Sequence, residues 1–132
     1  MRQPDGSYLS PNGFYTRFKI LQGDPQTPAA GPMTVEIINR HGVRSRFEGA
    51  AGATTLPLTR ITDRNGNSIQ LLHEDTAHPA RLTKAIDTYG RPILYLYTDD
   101  RLTTIRDFTG REIVLGYDAN GDQVSVRSPI VT

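Results

Sequence analysis

The clearest pattern lies near the end of the chain, where bulky apolar residues occupy every second position of residues 113–117 and again of residues 124–126. This period of two predicts two β-strands, each with one apolar face. The residues between them, 118–122, read D-A-N-G-D, which is typical of a hairpin turn. The stretch is therefore predicted to be a β-hairpin.

Similar units occur upstream, and each begins with a short polar turn that contains glycine. The turn glycines Gly42, Gly66, Gly90 and Gly110 are separated by 24, 24 and 20 residues. A fixed period of this size is typical of a repeat array. The residues expected to shape the turns and strand ends are Asp63, Gly66, Asp87, Gly90, Asp107, Gly110, Tyr117, Asp118 and Gly121.

The pattern predicts an all-β, antiparallel fold built from consecutive β-hairpins. Residues 39–132 are expected to form about four hairpin units. Residues 1–38 are expected to hold pre-repeat strands, after a turn at Pro11-Asn12-Gly13 and around a proline-rich loop at residues 23–32. Within that part, residues 14–21 and 33–38 are the predicted strands.

Composition narrows the class of protein. At 132 residues the chain suits one domain with a modest core. Its net charge of +1 gives no electrostatic footprint for nucleic acid or an anionic membrane. It has no cysteine, so disulfides and thiolate zinc sites are excluded. No apolar run is long enough to span a bilayer and no signal peptide is recognisable, so the chain is expected to be cytoplasmic or part of something longer.

The repeats resemble a known family. The sequence G-R-E-I-V-L-G-Y-D-A-N-G-D-Q-V from Gly110 is similar to the YD repeat of Rhs proteins, bacterial toxin complexes and teneurins, and D-R-N-G-N-S-I from Asp63 is similar to the opening repeats of Rhs chains. The resemblance covers residues 59–126 best. Tyr-Asp itself occurs at Tyr117-Asp118, whereas the earlier units carry Tyr97-Thr98 and His73-Glu74 at this point.

The resemblance implies a fold and a role. Members of this family form a long β-sheet that spirals into a hollow shell and, in bacteria, encloses a toxic C-terminal domain. By resemblance, this chain is a segment of such a shell in a polymorphic toxin, secreted or in the cell envelope as part of a larger protein. Its partners would be the rest of that protein and the enclosed domain. The C-terminal motif that supports self-cleavage in the family is absent, so no proteolytic activity is implied.

No catalytic, cofactor or metal site is predicted. The oxygen-bearing side chains of Asp118, Asn120 and Asp122 have the spacing of a calcium loop, but the glycine is one position early and Pro129 stands where a glutamate ligand belongs. A hairpin turn is the preferred interpretation. The cluster His73-Glu74-Asp75 with His78 has the chemistry of zinc ligands, but an exposed turn is again preferred. We find no nucleophile elbow or phosphate loop, so an enzyme is not expected.

One surface has the composition of a ligand site. Tyr89, Arg91, Phe108 and Arg111 combine aromatic rings with guanidinium groups, as carbohydrate sites do. The alternative function is therefore a carbohydrate-binding or cell-surface adhesion module, with glycans as partners. Tyr95 and Tyr97 share the alternation of Ile93 and are expected in the core. The arginines that follow the turn glycines are expected to pair with turn aspartates of neighbouring repeats.

The hairpin architecture also predicts how the chain associates. Each hairpin leaves strand edges whose backbone groups are unpaired, so it needs neighbours on both sides. Repeats of this kind are stabilised mainly by the interfaces between units. The isolated chain is therefore expected to pair its edges with another copy or to be marginally stable.

Overall fold

The structure, a computed structural model, describes residues 1–11, 15–24, 26 and 31–129. Over these residues the protein is all-β and contains no helix, so none is present that could cross a membrane. Its strands are β1 (Tyr8–Leu9), β2 (Arg17–Gln22), β3 (Met33–Ile38), β4 (Arg44–Gly49), β5 (Leu58–Thr62), β6 (Ser68–Leu72), β7 (Lys84–Ile86), β8 (Pro92–Thr98), β9 (Arg101–Arg106), β10 (Glu112–Tyr117) and β11 (Gln123–Arg127).

The chain divides into two compact units, Met1–Leu71 and Leu72–Thr132, with the boundary inside β6. In the first unit, β1 to β6 pair antiparallel in chain order. In the second unit, β7 to β11 do the same. The prediction of consecutive antiparallel hairpins is therefore confirmed.

The strands within residues 1–38 agree less well with those predicted from the sequence. Strand β3 has the predicted bounds, and β2 lies within and just beyond the predicted strand. Strand β1 was not predicted, because two apolar residues in a polar segment carry no period. Most of the predicted turn at Pro11-Asn12-Gly13 and much of the proline-rich loop lie outside the described residues.

One turn geometry recurs through both units, and the turn at Asp107 shows it. The Asp107 N–H donates to the Arg111 carbonyl (2.9 Å), and the Gly110 N–H donates to the Asp107 carbonyl (3.0 Å). The Asp107 Oδ1 accepts the backbone N–H groups of Thr109 (2.9 Å) and Arg111 (3.1 Å). Gly110 has a φ of +89°. This is a type I turn followed by a glycine bulge, which joins two antiparallel strands through a three-residue loop.

The same four hydrogen bonds occur wherever an aspartate or asparagine stands three residues before a turn glycine. These turns begin at Asn39, Asp63, Asp87, Asp107 and Asp118. Their glycines have φ between +78° and +90°. The turn at Asn39, the first in chain order, is thus a full member of the series.

A second repeated feature explains the tyrosine near the end of β8 and of β10. The Tyr97 hydroxyl donates to the Leu82 carbonyl (2.8 Å), and the Arg81 guanidinium lies 4.5 Å from the centre of the Tyr97 ring. The Tyr117 hydroxyl donates to the Leu102 carbonyl (2.6 Å) in the same way. Each tyrosine hydroxyl thus donates to a leucine carbonyl that lies fifteen residues earlier in the chain. The hydrogen bond holds the end of β8 or β10 against the preceding hairpin unit.

The apolar strand faces of each unit are only partly covered. Val35 and Ala85 are the buried hydrophobic residues of the described chain. The pairing confirms that Tyr95 and Tyr97 share a strand face with Ile93. Both tyrosines are half-buried and Ile93 is 38% exposed, so the expectation of a closed core at these residues is corrected to a partly covered face.

Replacement of the turn glycine tests the role of its backbone conformation. Nothing lies within 4 Å of a Cβ built on Gly110, so Gly110→Ala meets no steric clash and only its positive φ opposes it. We expect Gly110→Ala to lower the free energy of unfolding by about 1–2 kcal/mol, and Gly110→Asn by less, because asparagine visits the left-handed region more readily. Urea unfolding measures both. Equal stability of Gly110→Ala and the wild type would contradict the assignment.

Candidate functional site

Two of the capped turns carry the residues singled out as a ligand site. The turn at residues 87–91 joins β7 to β8, and the turn at residues 107–111 joins β9 to β10. Because β8 and β9 are antiparallel neighbours, both turns lie at the same end of the second unit's sheet. The repeat therefore brings together side chains that are about twenty residues apart in sequence.

Three of the four predicted residues meet at this end of the sheet. The Arg91 guanidinium carbon lies 5.3 Å from the centre of the Tyr89 ring and 5.2 Å from that of Phe108, both distances at which a cation attracts an aromatic face. Tyr89 is 82% exposed and Phe108 is 54% exposed. We call these three residues the aromatic–arginine cluster. Exposed rings beside a guanidinium group can bind a sugar ring by stacking and hydrogen bonding.

The fourth predicted residue, Arg111, has a different environment. Its Nη2 lies 2.8 Å from Asp107 Oδ2, and its Nε donates to the same oxygen (2.9 Å) and to the Thr109 hydroxyl (3.1 Å). Arg91 likewise donates through Nε to Asp87 Oδ2 (2.6 Å). The prediction that these arginines pair with aspartates of neighbouring repeats is therefore wrong. Each arginine pairs with the aspartate of its own turn, because the first and fifth residues of the five-residue turn lie opposite each other.

The hydrogen bonds of the turns favour the ionised form of their aspartates. The Thr109 hydroxyl, which donates to Asp107 Oδ1 (2.6 Å), is the largest influence that lowers the pKa of Asp107 from 3.8 to about 2. The backbone N–H of Arg91 is the largest influence that lowers the pKa of Asp87. Both turn carboxylates thus stay charged beside their arginines at neutral pH.

A polar network in the same unit was not predicted. His78 Nδ1 lies 3.1 Å from Asp75 Oδ2, and His78 Nε2 lies 3.1 Å from Asp100 Oδ1. Arg81 contacts the same two oxygens at 3.1 Å and 2.8 Å. Asp99 and Asp100 form a two-residue hairpin turn with φ of +49° and +64°, which aspartate tolerates. Because Asp100 lies some twenty residues from His78 in sequence, no local motif could reveal this network.

The other predicted candidates lie in turns or beside them. The Asp118 Oδ1 accepts the N–H groups of Asn120 and Asp122, which confirms the predicted hairpin turn at this position. His73 Nδ1 lies 3.1 Å from the Arg81 carbonyl oxygen, and Glu74 lies 3.5 Å from Lys84. In the part of the chain that the structure describes, no three histidine or acidic side chains are grouped as metal ligands.

These features define a class: an all-β protein of repeated antiparallel hairpins whose turns are capped by an aspartate or asparagine and closed by a glycine. No protein-family model matches the chain, and no curated protein matches it either.

The lowered pKa of Asp107 predicts a pH dependence of stability. A carboxyl group with a depressed folded-state pKa stabilises the fold above its ordinary pKa and loses that contribution as the pH falls through the folded value. For Asp107 this window runs from 3.8 down to about 2. We expect Asp107→Asn to reduce the loss of stability in this window, as measured by the melting temperature between pH 5 and pH 2.

Thr109→Val is the companion variant, since it removes the hydroxyl that most lowers the pKa of Asp107. Because the folded-state pKa of Asp107 then lies closer to its ordinary value, the acid loss of stability should be smaller and complete at a higher pH than in the wild type. If Asp107→Asn, Thr109→Val and the wild type show the same pH profile, the turn hydrogen bonds do not contribute in this way.

Proposed function

We propose that this chain is a structural segment of an Rhs-type β-shell that encloses or displays a toxin or effector polypeptide. The observation that carries the proposal is the recurrence of one hairpin in both units, with the same aspartate- or asparagine-capped turn each time. A protein built by repetition presents a continuous sheet rather than a closed pocket, which suits a wall better than an active site.

The last strand of the second unit supports the same role. Strand β11 pairs with β10, and its residues Val124 and Val126 are 63% and 57% exposed. Val126 of β11 lies opposite Leu115 of β10. In the preceding hairpin, Ile105 of β9 lies opposite Tyr95 of β8, and on its other side it lies opposite Ile113 of β10. An apolar strand edge of this kind favours pairing with a further strand. In a shell, the rest of the larger protein would supply it.

The size of the native product tests the proposal. We expect an antibody raised against this chain to detect, in the source cells or their medium, a protein several times larger than 14.6 kDa. Immunoblotting with the purified chain as a size standard makes the measurement. A native band at 14.6 kDa, from a protein that is monomeric and melts cooperatively, would contradict the shell role.

The aromatic–arginine cluster favours a second candidate, a carbohydrate-binding or adhesion module. Its rings are exposed although aromatic residues usually contribute to stability by burial. Neither Tyr89 nor Phe108 is needed to cover the apolar strand faces, because both lie in turns. Exposed aromatic residues in adjacent turns are therefore available to contact a sugar ring.

Replacement of Tyr89 tests this alternative. We expect Tyr89→Ala to weaken binding of a neutral oligosaccharide, identified on a glycan array, by about tenfold, since one stacking contact contributes about 1 kcal/mol or more. Tyr15→Ala is the matched control, because Tyr15 is 67% exposed and lies in the first unit. Absence of any glycan binding by the wild type, or equal losses in the two variants, would exclude this function.

A further inference from the structure

The first unit carries an arginine-rich face that the repeat pattern does not reveal. In the strand register, Arg46 of β4 lies opposite Glu36 of β3 and Arg60 of β5. Positions of the same sheet face lie two residues apart along each strand. This face therefore also carries Arg44, and on β2 it carries Lys19, which is opposite Glu36.

The positive charge of this face is only partly neutralised, by Glu36 and Glu48. Glu36 is buried and its carboxylate lies 3.6 Å from Arg46 Nη2. Within the described residues, no carboxylate lies within ion-pair distance of Arg44, Arg60 or Arg64. Arginines directly opposite each other, as Arg46 and Arg60 are, repel.

A cleft lies beside these arginines. It has a volume of about 350 Å³ and is lined by Ile38, Gly42, Arg44, Thr62, Asp63, Arg64 and Gly66. Its rim is formed by the two capped turns that begin at Asn39 and Asp63, so the backbone around it is fixed by the turn hydrogen bonds. Its volume lies near the lower end of the range for small-molecule sites.

The one acidic residue of the cleft is engaged by its own turn. Asp63 Oδ1 accepts the N–H groups of Asn65 (2.8 Å) and Asn67 (3.0 Å), and Oδ2 accepts the Asn67 side-chain amide (3.0 Å). That side-chain bond is the largest influence that lowers the pKa of Asp63, so the group stays negative. An anionic ligand would therefore lie on the side of the cleft formed by Arg44, Thr62 and Arg64.

The charge of the whole unit points the same way. Residues 1–71 hold eight arginine and lysine side chains against five carboxylates, a net charge of +3, whereas residues 72–132 hold seven against nine. The overall value of +1 hides this asymmetry. The net positive charge of the first unit favours an anionic ligand over a cationic one.

We propose that this cleft binds the phosphate group of a small phosphate monoester. The guanidinium groups of Arg44 and Arg64 and the Thr62 hydroxyl can donate hydrogen bonds to the three terminal oxygens of a phosphate. Arginine recognises phosphate through paired N–H groups. This site lies in the first unit and is independent of both the shell role and the aromatic–arginine cluster. It is an additional function of the chain, and failure of either earlier proposal leaves it standing.

Calorimetric titration of the full chain with glycerol 3-phosphate, inorganic phosphate and glycerol tests the proposal. We expect saturable binding of both phosphate-bearing probes and none of glycerol. Arg44→Gln combined with Arg64→Gln should weaken binding at least about tenfold, since hydrogen bonds to charged groups are the strong ones. Binding should also weaken below about pH 6, where a phosphate monoester loses its second negative charge.

Arg2→Gln combined with Arg127→Gln is the matched control, because it removes the same charge from exposed positions that do not line the cleft. This control should bind as the wild type does. Arg44 and Arg64 have no ion-pair partner to lose in the described chain, so the double variant should melt at the wild-type temperature. No saturable binding by the wild type, or equal weakening in both double variants, would overturn the proposal.

Discussion

The structure depends on one small constraint, a side-chain oxygen that accepts two backbone N–H groups within a five-residue turn. In the turn at Asp107 this oxygen fixes the backbone of Thr109 and Arg111, and Gly110 supplies the left-handed conformation that closes the loop. The turn sets which residues of the two strands lie opposite each other. Because side chains alternate between the faces of a strand, that register decides which face is apolar.

Repetition of this turn also decides what is exposed. Strand faces carry the apolar residues, whereas the middle residues of the turns contribute nothing to those faces and are free to vary. In the second unit, Tyr89 and Phe108 occupy two such positions in turns that lie at the same end of the sheet. The aromatic–arginine cluster is thus a product of the repeat geometry. It places two exposed rings around Arg91, whose guanidinium group forms an ion pair with Asp87.

The shell role and the phosphate-binding role use different parts of a chain of which little is enclosed. Val35 and Ala85 are the only hydrophobic residues of the described chain that are buried, and apolar residues such as Val124 remain exposed on the last strand. Sheets of this kind gain stability from further strands and units, which favours a place in a larger wall. The opposite, polar face of the first unit then remains available for an anion beside Arg44, so structural and binding roles do not compete for the same residues.

The sequence by itself determined the fold class, the turn positions and the alternating faces, because each depends on contacts within a few residues. Aspartate three positions before glycine specifies the turn, and a period of two specifies the strand. Only the tertiary structure decided that Arg91 pairs within its own turn, that His78 meets Asp100, and that Arg46 lies opposite Arg60. The His78–Asp100 contact joins the segment before β7 to the turn after β8, and Arg46 and Arg60 lie on neighbouring strands, so both pairs are far apart in sequence. The pairing of Arg91 within its turn depends on the conformation of that turn. None of the three is visible in a local pattern of residues.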